Sequence, residues 1–170
     1  MPEAVIVATA RSPIGRAVKG SLREMRPDDL AVQVVHAALA QVPELDPHEI
    51  DDLILGNGEP AGEAGNNLGR AVAVLAGMDH LPGVTVNRYC SSSLQTTRMA
   101  FHAIKAGEGD VFLSVGVETV SRYFNGWSDA PEGQNALLAD ARALTERFAA
   151  GGQTWHELGP ADRTPTVWGQ

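Results

Sequence analysis

Short apolar runs rich in β-branched residues alternate with segments of helical period, and that alternation limits what this chain can fold into more than any other feature. Ala4-Val5-Ile6-Val7-Ala8, Leu53-Ile54-Leu55, Gly83-Val84-Thr85-Val86 and the run from Asp110 to Val117 read as strands. The first is continuously apolar up to a polar turn, the pattern of a strand buried on both faces. Between the runs, Leu30, Val34, Val35, Ala38, Leu39 and Val42 share one helix face, opened by Pro27-Asp28-Asp29 and closed before Pro43. Leu68, Ala71, Val72 and Leu75 share a second face, after a cap at Asn66 or Asn67 and before Gly77. Leu94, Thr97, Phe101 and Ile104 share a third, ending near Ala106-Gly107. Strands separated by helices predict an α/β sheet with right-handed crossovers and parallel pairing of the 110–117 strand. Residues 11–26 and 59–65 read as loops, and Asp46-Pro47-His48-Glu49-Ile50 as a short capped turn.

Composition narrows the function classes. The 170 residues carry a net charge of −8, so a phosphate-rich polymer would be repelled unless cations cluster. Arg11, Arg16, Lys19, Arg23 and Arg26 are the nearest approach to a patch, and glycine and apolar residues interrupt it. Nucleic acid is not an expected partner. No apolar run approaches the roughly 20 residues that span a bilayer, and the start runs straight into a strand without a basic leader. A cytoplasmic setting is expected, and the single cysteine, which can form no internal disulfide or Cys-x-x-Cys zinc site, agrees with it. Gly56-Asn57-Gly58 lacks the third glycine of a dinucleotide fingerprint, and no Gly-Lys-Ser/Thr follows a glycine loop.

That cysteine stands where strand gives way to helix, in Asn87-Arg88-Tyr89-Cys90-Ser91-Ser92-Ser93-Leu94-Gln95. Taken alone, a lone cysteine is more often a small buried hydrophobe. A helix N-terminus changes the balance, because its free amides and dipole favour a thiolate, the nucleophilic form. The same amides could steady an oxyanion formed when the sulfur attacks a carbonyl.

The segment resembles the nucleophile motif of the thiolases, the acyltransferases that make or cleave 3-ketoacyl-CoA. Ala10-Arg11-Ser12-Pro13-Ile14-Gly15, Gly65-Asn66-Asn67-Leu68-Gly69-Arg70 and Gly116-Val117-Glu118-Thr119-Val120-Ser121 resemble further thiolase segments in the family's order. The likeness covers about residues 3 to 124. It implies a thiolase-like layered fold in which residues 1–124 form the first α/β half, a mixed sheet with helices on both faces. Residues 125–170 would then be an inserted loop region, incomplete at its C-terminus, with a helix through Leu137, Ala141, Leu144 and Phe148. The resemblance implies that Cys90 is the acyl-thioester nucleophile. It also implies coenzyme A and acyl-CoA as substrates with no further cofactor, and a place in lipid metabolism such as fatty acid β-oxidation. A homodimer or tetramer, or pairing with a complementary C-terminal half, is implied as well.

The thiolase histidine and second cysteine belong to Gly-His-Pro and Cys-x-Gly motifs, and neither occurs in these residues. His36 and His102 fall in predicted helices, His48 and His80 in turns and His156 in the polar tail, where solvated or structural roles are expected. Glu118 matches a family glutamate, although a carboxylate at a strand end is more often a hydrogen-bonding support. Arg11 could meet a phosphate, but solvation or an ion pair is its commoner role. Ser91, Ser92 and Ser93 read as capping hydroxyls rather than nucleophiles, and Ser93 replaces a glycine that many thiolases have. Two alternatives stay open: a 3-ketoacyl synthase of the same fold, and a non-catalytic fragment that docks with a partner chain.

Overall fold

In the computed structural model residues 3–124 are described, with Ala143 and Ala150 beyond them. The rest of 125–170, including the expected Leu137-to-Phe148 helix and His156, lies outside the described residues. After an irregular stretch comes α1 (Pro27–Leu39), followed by a 3-10 turn at Pro47–Glu49, β1 (Asp52–Gly56) and a second 3-10 turn at Gly62–Ala64. Then follow α2 (Leu68–Leu75), β2 (Gly83–Val86), α3 (Ser92–Ala106), β3 (Phe112–Gly116) and α4 (Val120–Phe124).

The strands form one sheet in the order β2-β1-β3, parallel throughout, with Leu53 opposite both Gly83 and Leu113. An antiparallel member, which a mixed sheet includes, is not among the described residues. Side chains alternate along β1: Leu53 and Leu55 enter a core with Ala31 and Val35 of α1, Leu68 and Val72 of α2, Leu81 and Val115. Each large apolar side chain buried there contributes about 1.5–3 kcal/mol. The other face of β1 meets α3, since a Cβ on Gly56 would stand 2.5 Å from the Ser92 carbonyl carbon. Helices thus cover both faces, as the alternating pattern predicts.

Four expectations need correction. Ala4–Ala8 is not a strand; Val5, Ile6 and Val7 are 67%, 76% and 71% exposed, and no strand among the described residues pairs with them. The apolar face expected of α3 points outward, with Leu94 71% and Phe101 45% exposed, while Ser92, Thr96 and Ala100 face the sheet. Small residues win that contact because the glycines of the strand ends admit only a close backbone approach. Asn67 stands at the N-cap of α2 but in the left-handed region (φ 59°), and its amide binds the Gly83 carbonyl at 2.8 Å instead of capping the helix. At α1 the N-cap is Arg26, without a side-chain cap, and Asp28 lies inside the first turn.

A buried ionic group anchors the segments around the sheet's C-terminal edge. Glu63 accepts from Arg26 at 3.0 Å and from Arg122 of α4, while Arg26 also binds Asp28 at 2.9 Å. Arg122 donates in addition to the Glu24 carbonyl at 3.1 Å.

Candidate active site

The turn between β2 and α3 is held by its own side chains. Asn87 Oδ1 accepts from the Tyr89 amide at 2.8 Å, an Asx turn that carries Tyr89 into the left-handed region at φ 47°. Ser92, 4% exposed, closes the turn from the other end: its hydroxyl donates to the Tyr89 carbonyl at 2.7 Å and accepts from the Arg88 amide at 2.8 Å. Between these two braces Cys90 stands as an exposed free thiol.

The helix behind the turn is seated on glycines. An added Cβ at Gly56 would meet the Ser92 backbone at 2.5 Å, and one at Gly116 would meet Ser93 Cβ at 2.5 Å. Both positions exclude any side chain, so the start of α3 rests directly on the ends of β1 and β3.

Cys90 precedes the first helical residue, Ser92, by two positions, with Ser91 as N-cap. The capping role expected of the serines is not what the structure uses, since Ser91 makes no side-chain cap and Ser92 braces the preceding turn. The Ser91 and Ser92 amides are likewise engaged, by the Arg88 and Tyr89 carbonyls at 3.1 and 3.0 Å. Those two amides hold the turn.

Glu118 enters from the end of β3. Its Oε2 accepts from the Gly58 amide at 2.7 Å and its Oε1 from the Asn57 side chain at 3.1 Å. Asn57 is buried, donates also to the Val117 carbonyl at 2.9 Å, and through its own amide binds the Val86 carbonyl at 3.1 Å. Although Glu118 as a residue is exposed, crowding around its carboxyl raises its pKa above the usual carboxylate value. Three hydrogen bonds, from the Gly58 amide, the Asn57 side chain and the Glu59 amide, oppose that rise, and the charge of neighbouring Glu59 adds to it.

No described histidine joins this turn. His36 Nε2 lies 3.2 Å from the Ala76 carbonyl, His48 stacks on His80 with centroids 4.1 Å apart, and His102 sits beside Phe101. Among the described residues no group of three or more histidine, cysteine or acidic side chains could hold a metal ion. Arg11 is exposed and donates to the Ser12 carbonyl at 3.1 Å, with no ion pair among the described residues. It lines a cavity of about 360 Å³ together with Ile14, Leu22, Val34 and Glu118; Cys90 is outside that cavity. No described helix is long and apolar enough to cross a membrane.

Ser92 and Asn87, which hold the turn, were not singled out as site residues by the sequence. The Asx-turn signal at Asn87 was available in principle, because asparagine binds the backbone two residues on. Nothing in three successive serines says which one turns inward.

Residues 4–143 match the family described as "Thiolase, N-terminal domain". The chain is 44% identical over 123 residues to a 3-ketoacyl-CoA thiolase of Bacillus subtilis (strain 168), covering 72% of this chain and 31% of that protein. It is 39% identical over 141 residues to a beta-ketoadipyl-CoA thiolase of Pseudomonas knackmussii, covering 81% and 35%. A beta-ketoadipyl-CoA thiolase of Acinetobacter baylyi is 40% identical over 143 residues, covering 82% and 35%. The chain spans about a third of the length of these curated relatives.

Proposed function

The chain belongs to the thiolase family, through the family's N-terminal domain, and from that membership we propose that it carries the acyl-accepting half of a thiolase-type acyltransferase. The observation that carries the reading is Cys90, a free thiol exposed on a turn braced from both sides. In the proposed reaction Cys90 Sγ attacks the thioester carbonyl of an acyl-CoA, the bond from that carbon to the coenzyme A sulfur breaks, and the acyl group stays on Cys90. A second thiol or carbanion then takes the acyl group, which makes the cycle a two-stage one. The proton removed from Cys90 needs a base, and none of the described histidines stands beside it. That base and the second-stage proton carrier belong to the Gly-His-Pro and Cys-x-Gly motifs of complete thiolases, so the 170 residues by themselves are proposed to be inactive in turnover.

The names of the relatives favour 3-ketoacyl-CoA and related substrates over the 3-ketoacyl synthase alternative. We further propose a soluble, cytoplasmic, lipid-metabolic role with coenzyme A as substrate and no resident cofactor. A covering partner is part of the same proposal, either a complementary C-terminal half or another copy, because Leu94 and Phe101 leave an apolar face of α3 in solvent. Replacing Cys90 with alanine should abolish acyl labelling by acetyl-CoA in the complete protein. Labelling that survives the replacement would remove the assignment.

A further inference from the structure

We infer that Glu118 is a positioning residue for Cys90: its carboxylate fixes the Asn57-Gly58 turn against which the Tyr89–Cys90 peptide lies. The inference rests on the reading of Cys90 as nucleophile and adds a residue to that site.

Three strand ends converge there. Glu118 reaches back from beyond β3 to bind the Gly58 amide at 2.7 Å and the Asn57 side chain at 3.1 Å, just past the end of β1. Asn57 in turn binds Val117 beyond β3 and Val86 at the end of β2, the strand that delivers the turn. The space beside Gly58 Cα is bordered by two groups. A Cβ built there would lie 2.9 Å from Glu118 Oε2 and 3.4 Å from both the carbonyl carbon and oxygen of Tyr89. That Tyr89 carbonyl is also the acceptor for the Ser92 hydroxyl and amide. The carboxylate and the peptide leading into Cys90 thus border the same space, the one a Gly58 side chain would take. Movement of the carboxylate and of the Gly58 backbone it holds displaces the turn.

A carboxylate suits this post for a reason its amide cannot copy. Its partners, the Gly58 N–H and the Asn57 NH₂ with the Glu59 N–H beside them, are all donors, and glutamine offers one acceptor oxygen and sets an NH₂ against a donor at the other. The raised proton affinity of Glu118 fits a group kept in place by those bonds against the cost of crowding.

The test uses the full 170-residue chain, in which one cysteine makes thiol loss a reading of one site. In Glu118→Gln, alkylation of native Cys90 by iodoacetamide should fall about fivefold or more, with the urea-unfolded chains reacting alike. A purely structural role would lower the melting temperature and leave the native-state rate alone; an unchanged or raised rate overturns the inference. Should Glu118→Gln fail to fold, an amide NMR titration of the chain with Glu118 intact decides, in a Glu59→Gln background because Glu59 is the charged group acting on Glu118. The Gly58, Tyr89 and Cys90 amides should move together as Glu118 titrates, and a Cys90 amide that stays fixed while Gly58 moves overturns the inference. The two readings fail separately. A Cys90 that responds to Glu118 but takes no acyl group from acetyl-CoA in the complete protein contradicts the nucleophile alone. One that is acylated but indifferent to Glu118 contradicts the positioning role alone.

Discussion

At the scale of single residues, the turn carrying Cys90 is a small hydrogen-bonded device whose parts can be removed one at a time. Ser92→Ala deletes a donor to the Tyr89 carbonyl and an acceptor for the Arg88 amide at a 4% exposed position. The expected cost is about 1–2 kcal/mol, the net worth of two hydrogen bonds with little solvent to replace them. Urea unfolding measures it, and a loss within about 0.3 kcal/mol of zero would contradict the bracing role. Cys90 itself was legible in the sequence, because its neighbours and its place between strand and helix mark it. Its supports were not. Three consecutive serines are equivalent on paper, and only the seating of α3 on Gly56 and Gly116 decides that Ser92 turns inward. Asn67 shows the same limit, since a residue that caps many helices here takes a left-handed backbone and binds Gly83 across to β2.

At the scale of elements, the contact between α3 and the strand ends makes a sharp prediction. Gly116→Ala should be strongly destabilising, because its Cβ would stand 2.5 Å from Ser93 Cβ and 3.3 Å from Ser93 Oγ; Ser93→Gly should rescue it, since it removes both and Ser93 Cα is 3.6 Å away. Gly56→Ala should not be rescued by the same change, because its Cβ meets the backbone of Ser92 and Ser93 at 2.5–2.6 Å. Thermal melts of the two double variants distinguish the cases, and equal rescue of both would show that the helix start is not packed as described. A second prediction concerns the pairing of β1 with β3. Asp51 Oδ2 accepts from the Val111 and Asp110 amides at 3.0 and 2.7 Å, and these bonds hold its pKa below the ordinary carboxylate value. The stabilisation is therefore present above the unfolded-state pKa and is lost as pH falls through the depressed one. Asp51→Asn should flatten that acid limb of the stability curve and cost about 1 kcal/mol at neutral pH, a low value because the site is open to solvent. An unchanged acid limb would contradict it. Helices and buried strands were legible at this scale because their periods are intrinsic to the chain. The outward face of α3 was misread, since a period of 3.6 finds an apolar stripe without saying what covers it.

For the whole molecule, the same limit explains Ala4–Ala8. An apolar run predicts burial but does not supply a neighbour, and Val5, Ile6 and Val7 stand in solvent among the described residues. Together with Leu94 and Phe101 they put five large apolar side chains in solvent among the described residues, a feature of surfaces that bind a partner. Association in sedimentation experiments is the expected consequence. Leu94→Lys should leave the unfolding free energy within about 0.5 kcal/mol, because a 71% exposed side chain contributes little to the fold, yet it should weaken association. A monomeric parent chain, or a variant that assembles as the parent does, would remove the partner proposal. The chemistry of Cys90 is decided by incubating the complete protein with acetyl-CoA, quenching in acid and locating the acyl group by peptide mass spectrometry. The acetyl group should be on the peptide bearing Cys90, released by hydroxylamine as a thioester is; an acetyl group found only on other residues, with the Cys90 thiol free, would rule out Cys90 as the nucleophile.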